Sequence, residues 1–159
     1  MKGMIRAAAM AFLLAACAED YDAGLEAYDD GDYETAYETW RPLAERGNAK
    51  AQSKLGRLYF RGRGVAQDYD EAARWFRAAA EQGQAGAQSH LGVMYRRGEG
   101  VIQDYATAHM WFNIASAIGT GGAAERARDS IADRMTPEAI AEAQRRARLC
   151  MESGYQDCE

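Results

Sequence analysis

The chain has 159 residues, of which 48% are hydrophobic and 27% are charged, and its formal net charge is −5. This length and composition suit one domain with a packed core and exclude a chain that is disordered throughout. The acidic balance argues against nucleic acid as a partner. Alanine is abundant, β-branched residues are few, and only Pro42 and Pro137 interrupt the chain, so the composition favours helix.

The first residues have the pattern of an export signal. Two basic residues, Lys2 and Arg6, precede the apolar segment AAAMAFLLAACA. This segment is shorter than the roughly 20 apolar residues of a membrane span. We therefore predict that residues 1–18 are a signal peptide of a bacterial protein that is exported to the periplasm, either soluble or lipid-anchored. Removal of this segment takes away Lys2 and Arg6 and no acid, and shifts the formal net charge from −5 to −7.

Two cleavage sites compete within this segment. The sequence ACA, ending at Ala18, suits ordinary signal peptidase and would leave Glu19 as the first residue. The sequence LAAC, ending at Cys17, resembles the bacterial lipobox, in which the cysteine is lipidated and becomes the first mature residue. Contact with a membrane is expected only through such an anchor at Cys17.

Residues 19–32 are predicted to form an N-terminal capping helix, after which the chain repeats itself with a period of 36 residues. Units begin at Tyr33, Tyr69 and Tyr105. Matching positions are Ala36/Ala72/Ala108, Trp40/Phe76/Phe112 and Gly47/Gly83/Gly119. Each unit has the pattern of two helices, which we name helix A and helix B.

Helix A of the second unit has one apolar face, since its large and small apolar residues follow helical spacing. The residues of this predicted core face are Ala72, Trp75, Phe76, Ala79 and Ala80. Asp68 is a good N-cap, and Glu71 would complete a capping box. Asp32 and Asp104 hold the same place in the other units, and Gly83 is predicted to end the helix in the left-handed conformation.

Helix B of the second unit is predicted over residues 85–97. Gly92 lies inside it, where glycine costs about 1 kcal/mol relative to alanine. We expect this glycine to permit the close approach of a neighbouring helix, as Gly56 would one unit earlier.

The loop after each helix B contains two glycines, in RGRGVAQDY and RGEGVIQDY. A phosphate-binding loop follows a strand and usually carries Gly-Lys-Ser or Gly-Lys-Thr, whereas here a helix precedes the loop and no such pair occurs. We therefore interpret it as a turn whose first glycine ends helix B and whose valine points into the core.

These positions together resemble the Sel1-like repeat, a relative of the tetratricopeptide repeat. The pattern occurs at Ala51, Leu55, Gly56, Tyr59, Gly62, Gly64, Val65, Asp68, Ala72 and Trp75, and again at Ala87, Leu91, Gly92, Tyr95, Gly98, Gly100, Val101, Asp104, Ala108 and Trp111. The resemblance implies an all-α solenoid of antiparallel helix pairs over residues 33–118, with a terminal capping helix.

Residues 119–159 depart from the pattern and are predicted to form C-terminal cap helices, the last beginning at Thr136 and Pro137, followed by a tail tied by a disulfide. Cys150 and Cys158 are a close pair in an oxidising compartment, which is typical of a disulfide. A metal pair or a redox pair is the alternative, although a CxxC spacing would be its usual signal.

The sequence offers no convincing catalytic, cofactor or metal site. Its two histidines, His90 and His109, have no second histidine or cysteine at ligand spacing, and His90 is expected at the surface. We therefore predict a protein that is not an enzyme and has no cofactor.

The predicted function is binding of a protein or peptide partner on the solenoid surface. Two columns of equivalent positions lie on the A helices, one with Tyr37 and His109 and the other with Arg41, Arg77 and Asn113. The residues in these columns vary between units while the core positions do not, so the columns are the candidate partner-binding surface. The predicted partner contacts are Tyr37, Arg41, Arg77, His109 and Asn113. The family resemblance implies an adaptor in the bacterial envelope, with a regulatory role in some exported members.

Two alternatives stay open. Cysteine-rich Sel1-like proteins are associated with penicillin binding and weak β-lactam hydrolysis, and they carry cysteine pairs with seven residues between them in each repeat. This chain has that spacing once, at Cys150 and Cys158, outside the clear repeats. β-Lactam turnover by the purified protein would separate this small-molecule alternative from the adaptor. The second alternative is a lipid-anchored structural protein without a single partner.

Overall fold

The computed structural model describes residues 20–119 and 122–158. The predicted leader over residues 1–18, with Cys17, lies outside the described residues. Within the described ranges the chain forms helices and their connecting turns, without a strand, and none of these helices is long and apolar enough to cross a membrane. The helices are α1 (20–29), α2 (Tyr33–Glu45), α3 (Ala49–Arg61), α4 (Tyr69–Ala80), α5 (Ala85–Arg97), α6 (Tyr105–Ala117), α7 (Ala123–Ala132) and α8 (Pro137–Glu152).

The helices stack as an α-solenoid, which confirms the predicted fold class. Helices α2 and α3 form unit one, α4 and α5 form unit two, and α6 and α7 form unit three. In each unit the A helix packs on its own B helix, and the B helices α3 and α5 pack on the A helix of the following unit. The solenoid therefore grows through alternating contacts within and between units.

The helix ends are those that the sequence predicts. Each A helix starts at an aspartate whose side chain accepts backbone N–H groups, and these aspartates are Asp32, Asp68 and Asp104. Helices α3 and α5 end at Gly62 and Gly98, which have φ angles of 62° and 71°. A left-handed residue at this place is the usual end of a helix, and it favours glycine.

The predicted capping box at Asp68 is only half formed. The Asp68 side chain accepts from the backbone N–H of Glu71 at 3.0 Å, as expected. The Glu71 side chain does not return the bond but pairs with Arg74, at 2.6 Å. The loop instead brings the Asp68 N–H to the carbonyl of Tyr59, at 3.1 Å, and this bond ties the start of α4 to the end of α3.

An aromatic ring packed on one glycine in the interior of α3, and another on one glycine in the interior of α5, hold consecutive units together. A Cβ atom built on Gly56 would lie 2.7 Å from Cδ1 of Phe76, and one built on Gly92 would lie 2.7 Å from Cδ1 of Phe112. Both rings are buried, at 0% and 1% exposure. The expected role of the two glycines is confirmed, because only a residue without a side chain leaves room for the ring.

Helix α1 closes the other end of unit one by the same kind of contact. Its Gly24 lies against the indole of Trp40, which a Cβ atom at this position would overlap. The Trp40 Nε1–H donates to the carbonyl of Tyr21, at 3.1 Å. Leu25 and Tyr28 also pack against the core cluster around Trp40. The first described helix therefore behaves as a shortened B helix.

Helix α8 leaves the regular path of the solenoid. Its principal partner is α6, so it lies along the A helix of unit three. Three of its buried residues, Ala143, Ala147 and Cys150, share a core cluster with Met110 and Trp111. Small side chains on α8 allow this close packing.

The tail after α8 turns back towards unit two. Cys150 and Cys158 form a disulfide with 4.5 Å between their Cα atoms, which confirms the predicted pairing. Within the loop, the N–H of Tyr155 donates to the carbonyl of Cys150, at 2.8 Å, and Tyr155 has a φ of 68°, which residues other than glycine rarely adopt. Nε2 of Gln156 then donates to the carbonyl of Glu81 at the end of α4, at 3.3 Å.

We predict that Gly56→Ala lowers the free energy of unfolding. Overpacking of the buried contact with Phe76 costs about 1–3 kcal/mol, and the helix preference of alanine, about 1 kcal/mol, offsets only part of it. Urea unfolding followed by circular dichroism measures the change. Gly86→Ala is the matched control, since no atom lies within 4 Å of its added Cβ, and it should raise stability slightly. Equal effects of the two substitutions would contradict the role of Gly56.

We also predict that the disulfide stabilises the tail against unfolding. The double variant Cys150→Ala, Cys158→Ala should lower the free energy of unfolding by about 2–3 kcal/mol, as the chain-entropy model gives for a loop of this length. Urea unfolding of the oxidised protein and of the variant gives the difference. A reductant should destabilise only the former, and the same response from both proteins would argue against the bond.

Candidate functional site

The five predicted partner contacts lie on A helices, and one of them, Arg41, is exposed. Arg41 extends from α2 into solvent, with its Nε 2.9 Å from Oε1 of Glu45. The other four are half-buried or buried, namely Tyr37, Arg77, Asn113 and His109. The variability of the two columns indicates exposed side chains, but most of the predicted contacts in them are half-buried or buried.

Three of these side chains are hydrogen-bonded to the B helix of their own unit. The pairs are Tyr37 with Tyr59 at 3.1 Å, Arg77 with Tyr95 at 3.1 Å, and Asn113 with Arg128 at 3.3 Å. Both columns thus line the groove between helix A and helix B.

His109 is 2% exposed, so the structure does not place it where a partner could reach it. Its column turns towards α7, the B helix of its unit. Burial, and then the positive charge of Arg128, lower the pKa of the His109 imidazole. Its Nδ1 is buried and has no hydrogen-bond partner among the described residues.

A pocket opens around Tyr37 and Arg41 at the boundary between units one and two. It has a volume of about 360 Å³ and lies between α2, α3 and α4. We call it the unit-one pocket, and its lining residues are Tyr37, Arg41, Glu45, Leu55, Tyr59, Glu71, Arg74 and Trp75.

Two ion pairs form the rim of the unit-one pocket. Arg41 pairs with Glu45 along α2, and Arg74 pairs with Glu71 along α4. The guanidinium of Arg74 also lies over the ring of Trp75, with 4.3 Å between Cζ and the ring centroid. The rim therefore offers both charge signs close to an aromatic surface.

Two phenol groups lie deeper in the unit-one pocket. The hydroxyls of Tyr37 and Tyr59 are 3.1 Å apart, and the rings meet edge to face with 5.9 Å between centroids. Burial, and then the bond to Tyr37, raise the pKa of the Tyr59 hydroxyl to about 12. The Tyr59 hydroxyl is consequently protonated at neutral pH, and a phenol hydroxyl can both donate and accept a hydrogen bond.

The indole N–H of Trp75 is the one buried polar group of the lining residues that has no hydrogen-bond partner among the described residues. Trp75 is 8% exposed, and its Nε1 is buried without an acceptor among the described residues. An indole N–H can only donate, and a buried donor usually finds a partner. Trp75 thus lines the pocket and carries a buried donor that has no acceptor among the described residues.

The corresponding place one unit further on is filled by the tail of the chain. The space that remains there measures about 160 Å³. We call this place the unit-two pocket, and its lining residues are Arg77, Glu81, Trp111, Tyr155, Gln156, Asp157 and Cys158. Four of the seven belong to the tail, so the chain itself occupies this groove.

Sequence reasoning assigned Trp75 to the core and did not single out Tyr59 for the site. The assignment of Trp75 is right for most of its surface, but one side of it lines the unit-one pocket. A signal for Tyr59 existed, because Tyr59 and Tyr95 coincide between units while packing alone does not require a hydroxyl.

The chemistry available in the unit-one pocket is that of its lining side chains. It consists of donors, acceptors, aromatic faces and paired charges. Among residues 20–119 and 122–158 there is no group of three or more His, Cys, Asp or Glu side chains that could hold a metal ion.

The stacked helix pairs place this protein among the α-solenoid repeat proteins. The Sel1 repeat model matches residues 49–84 and 85–119, so the chain contains two Sel1 repeats, as its sequence pattern indicates. Each matched segment pairs a B helix with the following A helix. The Sel1 repeat fold commonly serves protein–protein interaction. No curated protein matches the chain.

Two solved structures are similar to this chain. The crystal structure of a protective antigen of uropathogenic Escherichia coli, which displays an SLR fold, aligns with a TM-score of 0.82 and 29% identity over 87% of this chain and 31% of that one. A Sel1 repeat protein from Oxalobacter formigenes aligns with a TM-score of 0.64 and 32% identity over 68% of this chain and 44% of that one. The chain thus spans less than half the length of either relative.

His90 is half-buried in the structure, contrary to the expectation that it lies at the surface. Its ring stacks on Phe76, with 4.5 Å between centroids, and its Nδ1 lies 2.7 Å from the carbonyl of Gly86. Burial lowers the pKa of His90 below its ordinary value of 6.5, as it does for His109.

We predict a loss of stability below about pH 6.5. In this range the unfolded chain binds protons on both histidines before the folded chain does, so the free energy of unfolding falls with pH until the folded imidazoles also titrate. Urea unfolding between pH 7.5 and about 5 measures the slope. The double variant His90→Gln, His109→Met should flatten it, and an unchanged slope in that variant would assign the effect to other groups.

Proposed function

We propose that this chain is a non-enzymatic interaction module of the bacterial envelope, which binds a protein or peptide partner in the unit-one pocket. The observation that carries this proposal is the open pocket between α2, α3 and α4. The common use of Sel1 repeats in protein interaction supports it.

The residue types in the unit-one pocket suit a protein interface. Tryptophan, tyrosine and arginine are enriched among the few residues that carry most of the binding energy at such interfaces. The pocket has Trp75, Tyr37, Tyr59, Arg41 and Arg74 close together. The long side chains at the rim can adjust, while the aromatic groups below them are held by packing.

The exported location rests on the leader and on the tail. The pattern of residues 1–18 supports export, with Cys17 as the possible lipidation site. The pairing of Cys150 with Cys158 is consistent with an oxidising compartment. A binding module in this place would reach its partner in the periplasm, either free or tethered to a membrane.

Site-specific photo-cross-linking tests this function. A benzoylphenylalanine at position 41 should form a covalent adduct with the partner in intact cells, because this side chain stands at the rim of the unit-one pocket. Position 145 on α8 is the matched control. The Arg145 side chain is 55% exposed, against 57% for Arg41, and each of the two arginines pairs with a glutamate on its own helix. The cell fraction that holds the adduct tests the location.

The expected result is a discrete adduct from position 41 that is absent from position 145 and is lost when the unlabelled protein competes. Equal adducts at both positions would indicate non-specific contact. Adducts from position 145 alone would move the interface to α8 and contradict the proposal.

A further inference from the structure

The unit-one and unit-two pockets are built from the same repeat positions. The equivalent lining pairs are Arg41/Arg77, Glu45/Glu81 and Trp75/Trp111, each 36 residues apart. Gly47 and Gly83 are not lining residues but follow the ends of α2 and α4 at equivalent positions. What binds in one pocket is therefore informative about the other.

The chain's own tail shows how such a pocket is filled. The ring of Tyr155 lies on Gly83, where an added Cβ would be 3.1 Å from Cε2 of the tyrosine. The next residue, Gln156, donates from Nε2 to the carbonyl of Glu81, at 3.3 Å. Cys158 reaches the core cluster that contains Trp111 and is 9% exposed. A short non-helical segment thus contributes an aromatic ring and then an amide.

In unit one no segment among residues 20–119 and 122–158 takes the place of the tail. No atom lies within 4 Å of the position that a Cβ on Gly47 would occupy. The unit-one pocket has about 360 Å³, against the 160 Å³ left beside the tail in unit two. The Nε1 of Trp75 has no acceptor among the described residues.

Two substitutions make the unit-one pocket more polar than its counterpart. Tyr37 stands where unit two has Ala73, which is buried in the core cluster that also holds tail residues. Arg74 stands where unit three has Met110. A segment in the unit-one pocket consequently lies over the Tyr37 hydroxyl rather than against a methyl group, and meets a guanidinium at the rim.

We propose that the unit-one pocket binds a non-helical peptide segment of a partner protein that presents an aromatic residue followed by an amide residue, in the way that the unit-two pocket holds Tyr155 and Gln156. This inference rests on the proposed function and specifies the chemistry of its partner. The aromatic ring lies on Gly47, the amide reaches the end of α2, and a backbone carbonyl accepts from Nε1 of Trp75.

A titration with a synthetic peptide tests the proposal. The probe is CMESGYQDC, which reproduces residues 150–158 and is closed by its disulfide. It is added to the full, 15N-labelled chain, and the indole N–H signals of the three tryptophans are followed by NMR. The signal of Trp75 should shift with one peptide bound, while that of Trp111 stays in place because the chain's own tail covers it.

Matched variants assign the binding to the pocket. Trp75→Phe should lower the association constant about three- to tenfold, the loss of one neutral hydrogen bond, whereas Trp111→Phe should leave it unchanged. Arg41→Glu should weaken binding of this acidic probe, whereas Arg145→Glu should not. A peptide with alanine in place of its tyrosine and glutamine should not bind. Thermal unfolding of each variant verifies that it is folded.

The outcomes separate this inference from the proposed function. If the Trp75 signal does not move at millimolar peptide, or if only the Trp111 signal moves, the inference is overturned. An adduct from position 41 in the cross-linking experiment would then leave the function standing with a partner of different chemistry. Adducts from neither position would contradict the function, whatever the peptide does.

Discussion

The stack depends on one contact, the aromatic ring of an A helix against a glycine of the helix before it. Phe76 packs on Gly56 in this way, and Phe112 packs on Gly92. Because the ring meets backbone instead of a side chain, the spacing between units is set by van der Waals contact and tolerates little change. Trp40 on Gly24 extends the contact to α1, so every unit from the first is held by the same means.

This contact also places the groups that line the unit-one pocket. Trp75 precedes Phe76 in sequence, so a ring fixed on Gly56 holds the neighbouring indole at the boundary between units one and two. Tyr59 lies one turn beyond Gly56 on α3, and its hydroxyl meets that of Tyr37 from α2. The pocket is thus a consequence of the stacking, and each unit boundary offers an equivalent place.

Much of the fold could be predicted because it depends on local signals. Helix α5 begins and ends where its periodicity and its terminal glycine place it, at Ala85 and Arg97. The aspartate caps follow from residue type and position. The pairing of Cys150 with Cys158 follows from their closeness in sequence.

The site was harder to predict, because it depends on which helix covers which face. Helical spacing places His109 off the core face of its own helix, yet the B helix of its unit covers it. The contact of Gln156 with Glu81 joins residues 75 apart in sequence, and no periodic pattern predicts it. The variability of the columns therefore could not distinguish an open groove from one that the chain fills itself.

The polar character of the unit-one pocket is difficult to explain by stability alone. A buried donor without an acceptor costs about 1–3 kcal/mol, which makes the Trp75 indole N–H a net burden on the isolated chain. Exposed ion pairs such as that of Arg41 with Glu45 contribute little to folding, since solvent screens them. In unit two the corresponding groove is closed by Tyr155 and Cys158, which bury apolar surface with the core. The chain thus stabilises one groove with its own tail, whereas the other stays open and is lined by a tryptophan whose indole N–H has no acceptor among the described residues.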